Sequence, residues 1–395
     1  MNMITNMLTK AICVSSIVLA GFSAYAEPID ASTKERGRAV VDRAIEYLNT
    51  QQDPNSGGWG HNPDGPNFPA ITGLVINGML LDPRIDPSNP VVDRGLEYIL
   101  SFAQIDGSIH DGMLPTYNTA ICISALSQAR THRADSALAS GIAFLKTVQY
   151  HNRNTGGIEA PDFNEPVAED HPYYGGVGYG KHGRPDLSNL SFFLQAMHDA
   201  GVSTEDPAYK RALVFLSRVQ MNDETNDMHY ADASNQGGFI YATVPNAESI
   251  DSIPGQSQAG DMVETSPDGG SITRLRSYGS MTYSGFKSLI YADLSPDDPR
   301  ITAAWRWIES NYSLEENPGM GDQGYYYFLC AMGRALDSWG ADRVGEHDWR
   351  ADLVDTLEEL QREDGSFAIK HERWMEDNAT LITAYALIAL QHAIN

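Results

Sequence analysis

The chain has 395 residues, 42% of them hydrophobic, with 52 acidic against 27 basic side chains and a formal net charge of −25. A surface so acidic repels nucleic acid and anionic membrane, which excludes polyanion binding as an expectation and suits solubility or cationic partners. Only three cysteines occur, so a disulfide-stapled fold is excluded too.

Lys10, the short apolar run Ala11 to Gly21 and the small-residue site Ala24-Tyr25-Ala26 have the order of a secretory signal peptide. Residues 1–26 are therefore expected to be removed before Glu27, leaving residues 27–395 as a single exported domain, periplasmic or secreted. Removing Lys10, with no acid in 1–26, takes the charge from −25 to −26. The apolar run is too short to span a bilayer, and no later segment has the roughly 18 unbroken apolar residues required, so no transmembrane anchor is expected.

Six times a helix with apolar residues at three- and four-residue spacing runs into a glycine turn, and a more apolar helix follows. The first carries Val41, Ala44, Ile45 and Leu48, turns at Gln51-Gln52 and Gly57-Gly58-Trp59-Gly60, and leads into a helix over 67–81. The second begins at Asn89-Pro90, carries Val92, Leu96, Ile99 and Leu100, turns at Gln104 to Ser108 and leads into 116–130. Leu138, Ile142 and Leu145 mark the third, with its turn at Gln149 and Gly156-Gly157-Ile158 and its partner over 186–200. The fourth follows Asp206-Pro207 with Ala212, Leu213, Leu216 and Val219, turns through Gln220 and Gln236-Gly237-Gly238-Phe239, and pairs with 279–292. The fifth, after Asp298-Pro299, carries Ile301, Ala304, Trp305 and Ile308, and its degenerate turn, Asn311 to Gly321, precedes 322–338. The sixth has Leu353, Leu357 and Leu360, then Gln361 to Phe367, then 378–393. An Asn or Asp followed by proline is a helix N-cap with proline at the first helical position.

One helix pair cannot bury its own apolar face, and six pairs can close a ring. The expected fold is all-α, an (α/α)6 toroid of six hairpins in a double ring, with the more apolar helices inside. Cys122 and Cys330 fall on inner helices of the second and fifth pairs, too far apart to bridge, and are expected as buried free thiols. Two insertions, 151–185 and 221–277, each lead into an inner helix and should sit over one mouth of the ring as a lid or rim.

Glycine-aromatic turns after glutamine, best at Gln51 to Trp59 and Gln361 to Phe367, resemble the repeats of the squalene-cyclase and protein-prenyltransferase superfamily across essentially the whole mature chain. The resemblance implies the toroid and leaves the chemistry open. The Asp-x-Asp-Asp acid of class II terpene cyclases is absent; Ser295-Pro296-Asp297-Asp298 is a cap before an outer helix. The prenyltransferase Asp-x-Cys zinc pair is absent, as neither Cys122 nor Cys330 has that aspartate, and so is a Cys-Gly-Glu-Gln thioester stretch. No cofactor and no metal is expected.

The polar residues of the inner helices cluster at their N-terminal ends, which in alternating hairpins share one mouth and offer free N–H groups to a small-molecule or oligosaccharide ligand. Arg276, Tyr278 and Tyr283, with Arg274, form the densest group. Tyr179, His182, Arg184, Asp186 and Asn189 stand at the preceding entrance, Tyr325 and Tyr326 at a later one. Arg beside Tyr suits a β-eliminating polysaccharide lyase, the one neutralising a uronate carboxylate and the other moving its α-proton. Asp322 and Asp377 could instead form an acid/base pair, or cap their helices.

Three readings follow. A cyclase-like toroid holding an isoprenoid or other apolar ligand predicts a cavity of Phe, Trp, Tyr and Leu with one buried acid of raised pKa. A secreted lyase or other glycan-active enzyme predicts an open polar groove where Arg, Tyr, His and Asn converge. A non-catalytic binding protein predicts mouth residues engaged only with backbone and no perturbed titrating group.

Overall fold

The computed structural model describes residues 29–60, 62, 65–152, 164–180, 183–246, 249, 255–265, 269–368 and 373–395. The leader, its cleavage site and the Gly156-Gly157 pair lie outside the described residues.

Twelve α-helices stand among the described residues. The outer ones are α1 (Ala31–Gln51), α3 (Pro90–Leu100), α5 (Asp135–Thr147), α7 (Pro207–Val219), α9 (Pro299–Ser310) and α11 (Trp349–Leu360). The inner ones are α2 (Pro69–Leu80), α4 (Pro115–Ala129), α6 (Leu187–Asp199), α8 (Gly279–Tyr291), α10 (Tyr325–Trp339) and α12 (Ala379–Ile394). The inner helices pack in sequence order, α2 on α4, α4 on α6, α6 on α8, α8 on α10 and α10 on α12, and α12 returns to α2. The inner ring is therefore closed, and the expected (α/α)6 toroid is the observed fold. Burial follows from that placement. In α12 every residue from Leu381 to Gln391 is buried, whereas α1 buries only one stripe, including Val40, Val41, Ala44 and Leu48.

Local chemistry starts the outer helices where the sequence indicates. Asn89, Asp206 and Asp298 cap α3, α7 and α9, each side-chain oxygen accepting from the N–H two residues on. The recurring glutamine has a structural task. Gln220 Nε2 donates at 2.8 Å both to Gly237 O in its own turn and to Arg300 O at the start of the next outer helix. Gln52, Gln149 and Gln361 make the same double link, to Gly57 and Val91, Gly175 and Ala208, and Gly365 and Val40. The last of these ties the sixth hairpin to α1. For Gln149 the turn glycine is Gly175, not the nearer Gly156-Gly157 pair: Gly175 holds φ +79 and presses so closely on Arg211 O that no Cβ would fit. In four of the turns a threonine of the inner helix then fixes the apolar turn residue, as Thr72 Oγ1 accepts from Trp59 N at 2.8 Å and Thr282 Oγ1 from Phe239 N at 3.0 Å.

The second insertion carries a β-hairpin, β1 (Asp261–Thr265) antiparallel to β2 (Ser271–Leu275), with Val263 opposite Thr273. Its Gly/Ser/Asp-rich surroundings hide five-residue strands from a composition reading. Cys122 and Cys330 are buried free thiols. Among the described residues no helix is long and apolar enough to cross a membrane.

Candidate functional site

The N-terminal ends of all six inner helices meet around a cavity of about 360 Å³, within the usual range for small-ligand sites. Phe68, Ile71 and Leu74 come from α2 and its approach, Leu114 and Tyr117 from α4, Phe192 from α6, Met281 from α8, Tyr327 from α10 and Leu381 and Tyr385 from α12. Both insertions reach it, the first through Tyr179 and the second through Tyr241 and Gln258, while Trp374, Met375 and Glu376 approach from the segment before α12. The wall is therefore mostly aromatic and aliphatic.

Polar groups at the helix ends are largely taken up by the backbone, which explains that apolar character. Asn118 Oδ1 accepts from Ala70 N at 3.0 Å, and Asn317 Oδ1 from Ser280 N at 2.9 Å, so a residue of the next repeat satisfies the free N–H of α2 and of α8. Glu376 does the same for α10. Its Oε2 accepts from Gly324 N at 2.9 Å and its Oε1 from Tyr326 N at 3.1 Å. Unlike the amides, Glu376 is ionisable, and it is only 3% exposed. Burial outweighs the hydrogen bonds from the α10 N-terminus and pushes its carboxyl up to about 7. The preceding two residues, Trp374 and Met375, hold φ of 58° and 64°, and this turn aims Glu376 inward while leaving Trp374 at the rim.

The phenols form short hydrogen-bonded groups: Tyr117 with Tyr385 at 3.2 Å, Tyr179 with Tyr241 at 3.4 Å, and Tyr327 with Ser284 at 3.2 Å. Burial raises the Tyr117, Tyr327 and Tyr385 phenols, so all three stay neutral donors. Behind the Tyr179–Tyr241 pair lies Asp186, fully buried. It accepts from Asn189 N at 3.0 Å and Asn189 Nδ2 at 2.8 Å, and burial pushes it up to about 6.

Of the residues singled out in the sequence, Tyr179 and Tyr278 line the cavity. Asp186 and Asn189 form the cap of α6 just behind it, and Arg184 sits 5.0 Å over the Tyr241 ring while donating to Pro245 O. Arg276 is exposed and is not part of the cavity lining. Arg274 is drawn away to Glu264 of the hairpin at 3.4 Å, and Tyr283 packs against Phe328, ring centroids 5.7 Å apart. Tyr325 donates to Leu314 O, and Tyr326 packs on Phe367. Asp322 and Asp377 are exposed. His182 lies outside the described residues. Tyr117 and Tyr327, at the inner-helix starts where the sequence clusters its polar and aromatic residues, also line the cavity, and the structure adds Tyr241, Tyr385, Trp374 and Glu376, which sequence reasoning did not select. The only sequence signal for Glu376 is its position just before an inner helix, which it shares with the exposed Asp377.

No family model and no curated protein matches the sequence. Solved structures are similar over nearly the whole chain. The type II terpene cyclase MstE from Scytonema, in complex with merosterolic acid A as product, is 12% identical with a TM-score of 0.54, covering 93% of this chain and 99% of that one. A family 76 glycoside hydrolase from a bovine Bacteroides thetaiotaomicron strain has the same score and identity, over 91% and 78%. A novel alpha-amylase from Clostridium perfringens follows at 0.52 and 11%, over 92% and 99%. At such identities the likeness shows the fold: helical toroids that serve both terpene and glycan enzymes.

Proposed function

We propose that this toroid binds an isoprenoid or similar apolar polyene in the mouth cavity and that Glu376 protonates it. The observation that carries the reading is one buried carboxyl group facing a cavity otherwise walled mostly by aromatic and aliphatic side chains. A carboxyl raised to about 7 holds its proton in mildly acidic and neutral solution, as a general acid must. Proton transfer to an alkene carbon breaks the Glu376 O–H bond, turns the π pair into a C–H bond and leaves a carbocation and the Glu376 carboxylate. Tyr and Phe rings around the cavity would stabilise that cation through their π faces. The α10 N–H groups would receive the new carboxylate charge, since they already point at both oxygens. MstE is described with geranylgeranyl dihydroxybenzoate as substrate, a molecule of the class proposed here.

The glycan-active reading draws on the rim, where Trp374 and Tyr179 are 46% and 38% exposed and could stack on sugar rings. It needs charged groups converging on an open groove, and the wall within is apolar. Export of the mature chain from Glu27 is part of the proposal and is checked by the N-terminal mass of secreted material.

The test is Glu376→Gln. Quenching of Trp374 fluorescence by geranylgeraniol should be unchanged, while conversion of a supplied polyene falls by ~10²-fold or more, within the range of a lost general acid. Turnover that survives Glu376→Gln removes the acid from the mechanism. Failure of any polyene to quench, with a uronate polysaccharide cleaved instead, replaces this reading by the lyase.

A further inference from the structure

One to two turns below the cavity, towards the C-terminal ends of the inner helices, the lumen turns polar. On α2 the step is from Leu74 to Asn77, on α6 from Phe192 to Gln195, and on α10 from Tyr327 to Arg334. Two cations sit at this level. Lys287 of α8, 3% exposed, donates from Nζ to Gln195 Oε1 at 2.8 Å. Arg334 of α10, 4% exposed, donates from Nη2 to Asn77 Oδ1 at 2.9 Å. Four of the six inner helices thus converge on two positive charges held by neutral amides.

Among the described residues neither charge has a direct ion-pair partner. Arg334 Nε is buried without a hydrogen-bond partner. Among the described residues neither cation has a carboxylate within 4.0 Å. The carboxylate that shares their field, Asp199 of α6, already accepts from Ser124 and from Gln195 Nε2 at 2.8 and 3.0 Å, with His198 beside it. A guanidinium cannot discard its charge by losing a proton, and an unpaired buried charge is strongly destabilising. The C-terminal ends of the inner helices supply only fractional negative charge.

We infer that the base of the ring is a binding site for a small inorganic anion of chloride size, held between the Lys287 ammonium and the unpartnered edge of the Arg334 guanidinium. The class follows from the enclosure. Gln195, Ser288, Tyr291 and Gln391 are all buried around this level, and neither cation lines the mouth cavity, so the ligand must be small and reach the cations separately from that cavity. The site is independent of the polyene proposal.

The site carries a pH signature. Burial first, then the Arg334 charge, pushes the Lys287 ammonium down to about 7, while Cys330 of α10 and Asp199 pull the other way. The Tyr291 ring of α8 has its centroid 5.5 Å from Nζ, and His392 of α12, paired with Asp337 at 2.8 Å, is a further titratable neighbour. An anion beside Lys287 keeps it protonated, so chloride affinity must fall as pH rises above about 7.

The experiment compares thermal unfolding of the whole protein in sodium chloride and in sodium gluconate of equal ionic strength. We expect a saturable rise of a few degrees in chloride at pH 6, a smaller one at pH 9, and no chloride response in Lys287→Met or Arg334→Met. Bromide-soaked crystals of the unaltered protein should show an anomalous peak between Nζ and the guanidinium, which decides the matter if either variant does not fold. Equal melting in both salts, or bromide at surface positions alone, overturns the proposal and leaves Lys287 deprotonated beside Arg334.

Discussion

Glu376 and Asp377 are neighbours in sequence and opposites in environment, and the difference comes from two backbone angles. With Trp374 and Met375 in the left-handed region, the chain turns so that Glu376 enters the ring and Asp377 stays in solvent. Helical periodicity does not report on such a turn, so residue type and position made Asp377 the legible candidate and left Glu376 unread. The same blindness hid Tyr241, which a long insertion delivers to the cavity. Tyr278 was legible because it stands directly before an inner helix, and Tyr179 because it lies in the insertion that leads into one. The buried acid also has a consequence for stability. Its folded carboxyl titrates near 7 against an ordinary value of 4.5. Between those pH values the folded chain keeps a proton that the unfolded chain has released, so stability falls as pH rises through this window and stays lower above it. The loss attributable to this group is roughly 3 kcal/mol at most. Urea midpoints of the native protein and of Glu376→Gln, compared from pH 4.5 to 8, should therefore diverge, the variant losing less as pH rises. Parallel curves would mean that the α10 N–H groups already hold Glu376 ionised.

At the scale of the element, the repeat that is visible in the sequence is a clamp between neighbouring hairpins. Glutamine joins the turn to the next outer helix, and the turn glycine lets the two backbones touch. This is why the helix spans could be read closely: the expected 279–292 is observed as Gly279–Tyr291, and 378–393 as Ala379–Ile394. The clamp glycine of the third turn was misplaced because two glycine pairs follow Gln149, and it is the bond from Gln149 and the approach to Arg211 that identify Gly175. Gln220→Ala leaves the carbonyls of Gly237 and Arg300 without their donor and should cost about 2–3 kcal/mol. Gly175→Ala should cost more than ~3 kcal/mol, since its Cβ would lie 1.8 Å from Arg211 O. Gly201→Ala is the control. It shares the positive φ, +67°, but has nothing within 4 Å of the added carbon, so about 1 kcal/mol is expected. Denaturation midpoints that rank Gly201→Ala with Gly175→Ala would show that backbone strain, not the close approach, dominates these turns.

On the scale of the molecule the closed ring gives the end hairpins a role that open helical arrays do not give theirs. In a linear solenoid each terminal repeat contacts one neighbour, and its loss lowers stability by roughly one repeat's share. Here α12 packs against both α10 and α2, α1 lies on α11 and α12, and Gln361 donates to Val40 O across the seam. Removing the sixth hairpin uncovers one side of α10 and of α2 together. It also takes away Glu376, which satisfies the first turn of α10. The buried face of α12 is almost wholly Leu, Ile, Ala and Tyr, so the gap could not be filled by water at small cost. A chain ending at residue 345 should therefore lose the whole cavity and its cooperative transition, seen as collapsed near-UV circular dichroism and binding of a hydrophobic dye. The full chain should unfold in one step, its transitions by fluorescence and circular dichroism coinciding. A shortened chain that still melts cooperatively, a few degrees lower, would mean that the six hairpins are stabilised pair by pair and that closure shapes the cavity without holding the fold together.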